Sequence, residues 1–495
     1  VNTTHRSAGA RPRAAYRLPA TATRTLIAVL IAPALAVAGC APALVPFQPD
    51  TRLPAAYEAA IIVPAQTAVL DQWWRLFGDP QLDGLVEGAL GASTDARLAL
   101  ARLKEARAIR GGAMARYRLQ GDLQGNAAAE RLDLLDGDVG SGSNAAVGDT
   151  RLATAAFNLS WEADLFGRAS STRRAADADL TAARFLYEGS RAALAADVAE
   201  ALFSARGLAV QLADAERSLA VEAELLDVLR IRAERGLTAR SDASRAEANL
   251  RQTQARAAQL AGDLQAAKRA LLVLTGAPRT ATIDLAIDPS LPEAPPPPRS
   301  MPGDLLERRP DIREAEARFR SATARSELQR LELFPRFTLE PGVGLTAATG
   351  VADYAIGTWT LGASVFLPIL DRPRLLSELG AQTALAEQAA VAYERTVQVA
   401  FSEADQALVR LQADRSRVAL LTQAEARAAE ACAAARERFA RGLGDLTTTL
   451  DAERSWRATR LELSVARIDA LQRTVTVFRA LGGGWSPSRI DKDQV

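Results

Sequence analysis

Two hydrophobic periods alternate along this chain. Over long stretches apolar residues return every three or four positions, the spacing of one helix face. That period predicts helices over 82–115, 167–235, 237–275, 303–334, 371–441 and 445–481. In four short stretches it gives way to strict alternation, the spacing of a strand. Tyr117, Leu119, Gly121, Leu123, Gly125 and Ala127 face one way; Arg118, Gln120, Asp122, Gln124 and Asn126 face the other. Ala153, Ala155, Phe157, Leu159 and Trp161 oppose Thr154, Ala156, Asn158 and Ser160 in the same manner. The later half repeats the device with Phe337, Leu339, Val343 and Leu345, then with Trp359, Leu361, Ala363, Val365 and Leu367. Strands are therefore expected near 117–127, 153–161, 337–347 and 357–367.

Runs of about ten residues with one apolar face have the form of transmembrane barrel strands. A half-buried strand of a soluble sheet alternates identically, so the count must decide. The smallest membrane barrels need about eight strands, and an open sheet in lipid leaves unpaired backbone at its edges. Four strands must then be pooled between copies, two chains supplying eight or three supplying twelve. No stretch reaches 18 uninterrupted apolar residues, so no helix is expected to span a membrane.

The helices have their own pattern. Positions 194, 198, 201, 205, 208, 212, 215, 219, 222, 226, 229 and 233 step by 3.5 on average, and only Glu222 among them is not apolar. That is a coiled-coil seam, or the apolar stripe of an ordinary amphipathic helix, with leucine alternating with alanine for close approach. The helices over 167–235 and 371–441 are each about 70 residues, or roughly 100 Å at 1.5 Å per residue. Each pair of shorter helices sums to about that length, so two short helices are expected to stack beside one long one.

The chain also repeats itself. Asp95-Ala96-Arg97 with Ala99 and Ala101 returns as Asp311-Ile312-Arg313 with Ala315 and Ala317, an offset of 216. Arg235-Gly236-Leu237 returns as Arg441-Gly442-Leu443, an offset of 206. The implied organisation is two repeats, 76–275 and 303–484, joined by a linker at 276–302 and followed by a tail at 485–495. Pro292 and Pro295 to Pro298 make that linker a stiff extended strap.

Composition removes whole classes of function. The only histidine is His5, and the only cysteines are Cys40 and Cys432. A Ser-His-Asp triad, a Cys-His pair, a histidine-ligated metal and a disulfide framework are all out of reach. No enzyme, cofactor or metal is expected, and Cys432, in a small-residue helix, reads as a buried free thiol. The 60 basic residues nearly balance 59 acidic ones, which argues against a nucleic-acid partner.

The start of the chain reads as an address. Arg6, Arg11, Arg13, Arg17 and Arg24 precede an apolar run from Leu26 to Ala38 that is too short to span a bilayer, hence a signal peptide over 1–39. Val1 in place of methionine suggests a non-standard start codon. Val37-Ala38-Gly39-Cys40 resembles a bacterial lipobox, which implies lipid on Cys40 and a lipid-anchored segment over 40–75. An ordinary cleavage site with a chance cysteine is the alternative. Ala41, where an aspartate would resemble an inner-membrane retention signal, favours the outer membrane.

Several motifs now stand in order. Trp73-Trp74-Arg75-Leu76-Phe77-Gly78-Asp79-Pro80 is followed by Trp161-Glu162-Ala163-Asp164-Leu165-Phe166-Gly167-Arg168. Leu306-Glu307-Arg308-Arg309-Pro310-Asp311-Ile312-Arg313, Leu333-Phe334-Pro335-Arg336 and Ala480-Leu481-Gly482-Gly483-Gly484-Trp485 complete the series. Together they resemble the TolC-type outer-membrane efflux proteins, in the lipoprotein branch that serves resistance–nodulation–division pumps. The resemblance implies a mainly α fold with a membrane β-barrel: a homotrimer pooling twelve strands in outer-membrane lipid, with a coiled-coil helical barrel in the periplasm. It implies a passive conduit for small molecules that meets a periplasmic adaptor and an inner-membrane transporter. The competing reading is a periplasmic coiled-coil adaptor or structural lipoprotein without a pore, which would lack the alternating strands. Gly167 and Pro335 stand where helix becomes strand, and Arg308, Arg309 and Asp311 read as a structural charge cluster at a helix start.

By the same resemblance, the turns at Gly236-Leu237 and Gly442-Leu443 are the periplasmic tips where the conduit closes. Family gates of one well-known type use a tyrosine, an arginine and aspartates there. Asp242 and Asp451 match two of the aspartates, whereas Phe439 replaces the tyrosine, Gly444 the arginine and Thr448 another aspartate. The polar lock of that type is thus largely missing, and closure by apolar packing is expected. Asp242 and Asp451 either form an acidic ring that attracts cations or simply cap helices.

Overall fold

The computed structural model describes residues 42–43, 47–58, 70–132, 148–298, 300–350 and 353–486. Cys40, the expected signal peptide and most of the expected tail lie outside them. The chain divides into two compact units. One comprises Gly112–Arg173 and Thr323–Ala384 with Val1–Pro46; the other comprises Phe47–Gly111, Arg174–Ala322 and Leu385–Val495.

The first unit is built on one antiparallel sheet, in the order β1 (Gln120–Leu132), β2 (Gly148–Ala163), β3 (Arg336–Gly350) and β4 (Tyr354–Phe366). The strands are longer than the alternation suggested and begin or end a few residues away from it. Tyr117 stays out of β1 because its N–H bonds the Met114 carbonyl in the turn after Ala115; its hydroxyl lies 2.9 Å from that of Thr172. Register places Leu123, Phe157, Val343 and Trp359 side by side across all four strands. Asp122, Asn158, Gly342 and Thr360 form the neighbouring row on the opposite face. The apolar row is exposed, Trp359 to 80%.

Where the sheet meets helix, Arg168 is a buried bolt. Its guanidinium donates to the carbonyls of Leu331 (2.7 Å) and Phe334 (2.8 Å) and to Glu162 (3.3 Å). Those carbonyls close a helix that cannot run on, because the residue before Pro335 is driven out of helical geometry.

Eight helices are described: α1 (Pro80–Ala92), α2 (Thr94–Ala115), α3 (Arg168–Glu234), α4 (Arg240–Leu274), α5 (Leu305–Arg308), α6 (Pro310–Leu331), α7 (Arg372–Ala440) and α8 (Leu446–Ala480). The stretches expected as single helices over 82–115 and 303–334 are each broken, at Ser93 and at Arg309. Each break has a local cause: Pro310 drives Arg309 into extended geometry, and the Ser93 hydroxyl accepts the Asp95 N–H as a helix cap does. The tertiary contact made at the break is the same in both halves. Gly276 and Gly482 take positive φ of 76° and 77° just after α4 and α8. A Cβ on Gly276 would lie 2.7 Å from the carbonyl oxygen of Ala92, and one on Gly482 would lie 2.7 Å from that of Arg308. Each glycine therefore presses its backbone into the break of an earlier helix.

The core of the second unit gathers Trp73, Phe77, Phe203, Leu271 and Phe478. Trp73 stacks on Phe478 with ring centres 5.5 Å apart. Trp485, placed in the tail by sequence, is buried and donates its indole N–H to the Arg308 carbonyl at 2.8 Å. Arg309 is likewise buried and bonds Asp311 (2.7 Å), Glu403 (2.8 Å) and the carbonyls of Ala400 and Ala480. Burial opposes its charge, but the two carboxylates outweigh it and raise its pKa. The linker is pinned in passing: Gln81 donates to Ala286 and Arg415 to Pro295. Along α3 none of the twelve seam positions is exposed, Glu222 included.

Gly482→Ala is expected to cost roughly 2–4 kcal/mol, since the new methyl group meets a backbone carbonyl in a conformation that L-residues avoid. Gly262→Ala, in α4 with open space around it, is expected to stabilise by about 0.5–1 kcal/mol. Thermal unfolding of the full chain followed by circular dichroism distinguishes them, and equal midpoints would contradict the assignment.

Candidate functional site

The two long hairpins turn by one device used twice. Gly236 and Gly442 take φ of 72° and 71°. The N–H of Leu237 bonds the carbonyl of Arg232, and the N–H of Gly236 bonds that of Ala233. Leu443 with Arg438, and Gly442 with Phe439, repeat the pair. This is a Schellman ending, in which the residue after the glycine normally folds back on an apolar partner. Here the partner positions hold arginine, so Leu237 and Leu443 stay 66% and 68% exposed.

The aspartates near the turns divide their work. Asp445 caps α8, accepting the Thr448 N–H at 2.8 Å, and that bond holds its carboxyl below the usual range. Asp242 accepts the Thr238 hydroxyl at 2.8 Å. Asp451 is exposed and lies 3.6 Å from Arg454 on its own helix. Both therefore have contacts of the helix-end and surface kind. Phe439 is half-buried against the cluster of Leu226, Leu229, Ala246, Leu446 and Leu450, with the Arg232 guanidinium 5.9 Å from its ring centre. The hairpins thus meet through apolar side chains near the turns.

Farther along, a polar bridge joins them. Arg454 donates to Asn249 (3.1 Å), and Arg460 to Asp214 (2.8 and 3.0 Å). Between these, Arg457 donates to both Glu222 and Glu453, and Arg436 reaches Glu453 at 2.8 Å. Thr253 completes the group by donating to Glu222 at 3.1 Å. Glu222 precedes its glycine turn by 14 residues and Arg457 follows its own by 15, so both sit about 21–23 Å along their helices from the turns. Trp456 packs beside the bridge, its indole bonded to Glu425 and its ring 5.5 Å from Arg460. Glu222 is only 6% exposed, and its second oxygen has no bonding partner.

Sequence reading found the turns but missed this bridge. One signal was present: a lone carboxylate in a twelve-position apolar seam demands a partner. The partner lies 235 residues away and could not be named. Among the described residues no cluster of His, Cys, Asp and Glu could hold a metal ion. Cys432 is buried, and burial pushes its thiol pKa up.

Two halves with the same order of elements, the same glycines and the same turns match one family twice. The model for outer membrane efflux proteins fits residues 85–277 and again 301–483. The chain belongs to the outer membrane efflux protein family. The pyoverdine export outer membrane protein OpmQ of Pseudomonas putida is 29% identical over 449 residues, covering 88% of this chain and 93% of that protein. The cation efflux system protein CusC of Escherichia coli is 28% identical over 482 residues, covering 91% of this chain and 97% of its own. The solved outer-membrane channel OprN superposes with a TM-score of 0.78 at 28% identity, over 90% of this chain and all of that one. Membership in this efflux family removes the reading as a poreless adaptor.

Arg457→Leu is expected to cost about 3 kcal/mol, because it leaves Glu222 buried without its cation. Glu222→Leu restores an apolar seam and should be near neutral, and the double variant should recover most of the single loss. Denaturant unfolding of the four proteins measures the coupling. Equal losses for both single variants would refute the asymmetry.

Proposed function

We propose that this efflux-family protein is the outer-membrane channel of a tripartite efflux system, a passive homotrimeric conduit for small molecules. The observation that carries the reading is the sheet with an exposed apolar face, a polar face behind it and edges at β1 and β4. Edge-to-edge pooling of three such sheets gives a closed twelve-stranded barrel with apolar side chains toward lipid. Two sheets would give eight strands, whose interior is filled by side chains and leaves little passage. Closure also removes every unpaired edge, which lipid requires.

The remaining partners follow. The exposed Leu237 and Leu443, offered at the same place in both repeats, suit contact with a periplasmic adaptor, which in turn meets an inner-membrane transporter of the resistance–nodulation–division type. Driving force and choice of cargo are assigned to that transporter, and no catalysis is assigned to this chain. In keeping with this, relatives of nearly equal identity are named for pyoverdine export and for cation efflux. Cys40 is proposed to carry the anchoring lipid. At the tips the contacts of Phe439 favour closure by apolar packing over an acidic ring.

Single-channel recording in planar bilayers tests the conduit: discrete conductance is expected, and its absence from folded, detergent-purified protein would overturn the reading. Leu237→Asp combined with Leu443→Asp should keep that conductance while lowering cellular export by about tenfold or more. Asp242→Ala and Asp451→Ala should leave conductance and block by multivalent cations nearly unchanged. A lost block would reinstate the acidic ring.

A further inference from the structure

The apolar face of the sheet has a sharp upper limit. In β1 the residues on that face are Gly121, Leu123, Gly125, Ala127 and Ala129, and in β2 they are Ala153, Ala155, Phe157, Leu159 and Trp161. β3 contributes Phe337 through Ala347 at alternate positions, and β4 contributes Ala355 through Val365. None of these carries a charge. The first charges on this face are Arg131, Asp149 and Arg151, all at the end of the sheet away from the helices.

Their height is informative. From Trp161 to Arg151 is ten residues of one strand, or ~33 Å at ~3.3 Å per residue. With barrel strands tilted by roughly 40°, that is ~25 Å of vertical rise, the height of the lipid-facing band of a membrane barrel. The arginines thus stand at the boundary where acyl chains give way to headgroups. Arg131 pairs with Asp149 and Arg151 with Ala129, so the two arginines are diagonal neighbours on adjacent strands. Diagonal positions lie ~7–8 Å apart, within joint reach of one phosphate for side chains as long as arginine. Both are exposed; Asp149 holds Arg131 at 3.8 Å, and Thr349, opposite Arg151, adds a hydroxyl.

We propose that Arg131 and Arg151 form a docking site for the phosphate groups of anionic lipid in the outer leaflet. Guanidinium groups bind phosphate in a forked geometry, and Ala129, Ala153 and Ala347 below them leave room for acyl chains. The face opposite carries the polar row and would serve the cargo, so lipid is the occupant that fits this one. The proposal rests on the barrel reading, and its test separates the two.

Native mass spectrometry of the detergent-purified trimer with diphosphoryl lipid A as probe measures retention. Wild type should retain the lipid, and R131Q/R151Q should retain it at least fivefold less. R116Q/R118Q, an equal loss of charge just before the helix end of β1, should match wild type. Dephosphorylated probe should be retained poorly by wild type, a result that needs no variant to fold, and millimolar inorganic phosphate should not displace the lipid. Retention by R131Q/R151Q equal to wild type, equal retention of dephosphorylated probe, or displacement by free phosphate would each overturn the proposal. Conductance is recorded on the same samples. If wild type conducts and these outcomes fail, only the lipid site falls; if nothing conducts, the barrel reading falls instead.

Discussion

Hydrocarbon offers no hydrogen bonds, and that single constraint governs the sheet. Every backbone N–H and C=O placed in lipid must find a partner within protein, so a four-stranded sheet with two open edges is incomplete by itself. Its side chains agree with its backbone. The row of Leu123, Phe157, Val343 and Trp359 is exposed in one copy, and an apolar row so placed is costly in water. Edges ask for more strands, and the exposed face asks for lipid. The proposed barrel shared between copies meets both demands.

Duplication explains how one chain supplies matched parts. Gly236 and Gly442 turn the hairpins, and Gly276 and Gly482 close the last helices, each pair separated by the same 206 residues. A glycine in left-handed geometry against a carbonyl cannot drift to another residue type without cost. Such positions keep two diverging halves superposable even where their side chains no longer match. Gly444 and Thr448, by contrast, sit in exposed positions of the second hairpin, where change is cheap.

What was legible in the sequence was local and periodic. Strand faces emerged because neighbouring residues alternate, and the α3 seam emerged because its leucines and alanines return every 3.5 positions. What stayed hidden was contact between distant segments. Pro310 and the capping Ser93 mark the two helix breaks locally, but nothing local told that Gly276 and Gly482 arrive from far along the chain to pack into them. Trp485 looked like tail because its acceptor, the Arg308 carbonyl, is 177 residues earlier. At the tips, the resemblance supplied the turn positions and the missing polar lock, but not the apolar cluster around Phe439 that joins the hairpins there.

The polar bridge raises the question of why a seam so consistently apolar admits Glu222 at all. Burying a carboxylate with an arginine rarely adds stability over an apolar pair of equal volume. Its value lies in discrimination. Apolar shape already opposes sliding α8 along α3, since Ile468 fits only over Gly207, and charge adds a second constraint. Such a slide would separate Asp214 from Arg460 and leave Glu222 buried without Arg457, and an unpaired buried charge is heavily penalised. The bridge thus helps fix the height at which the two hairpins meet, and with it the level of Leu237 and Leu443. Tips proposed to face a common partner have to end at a common level, and the bridge sets it together with the fit of Ile468 over Gly207.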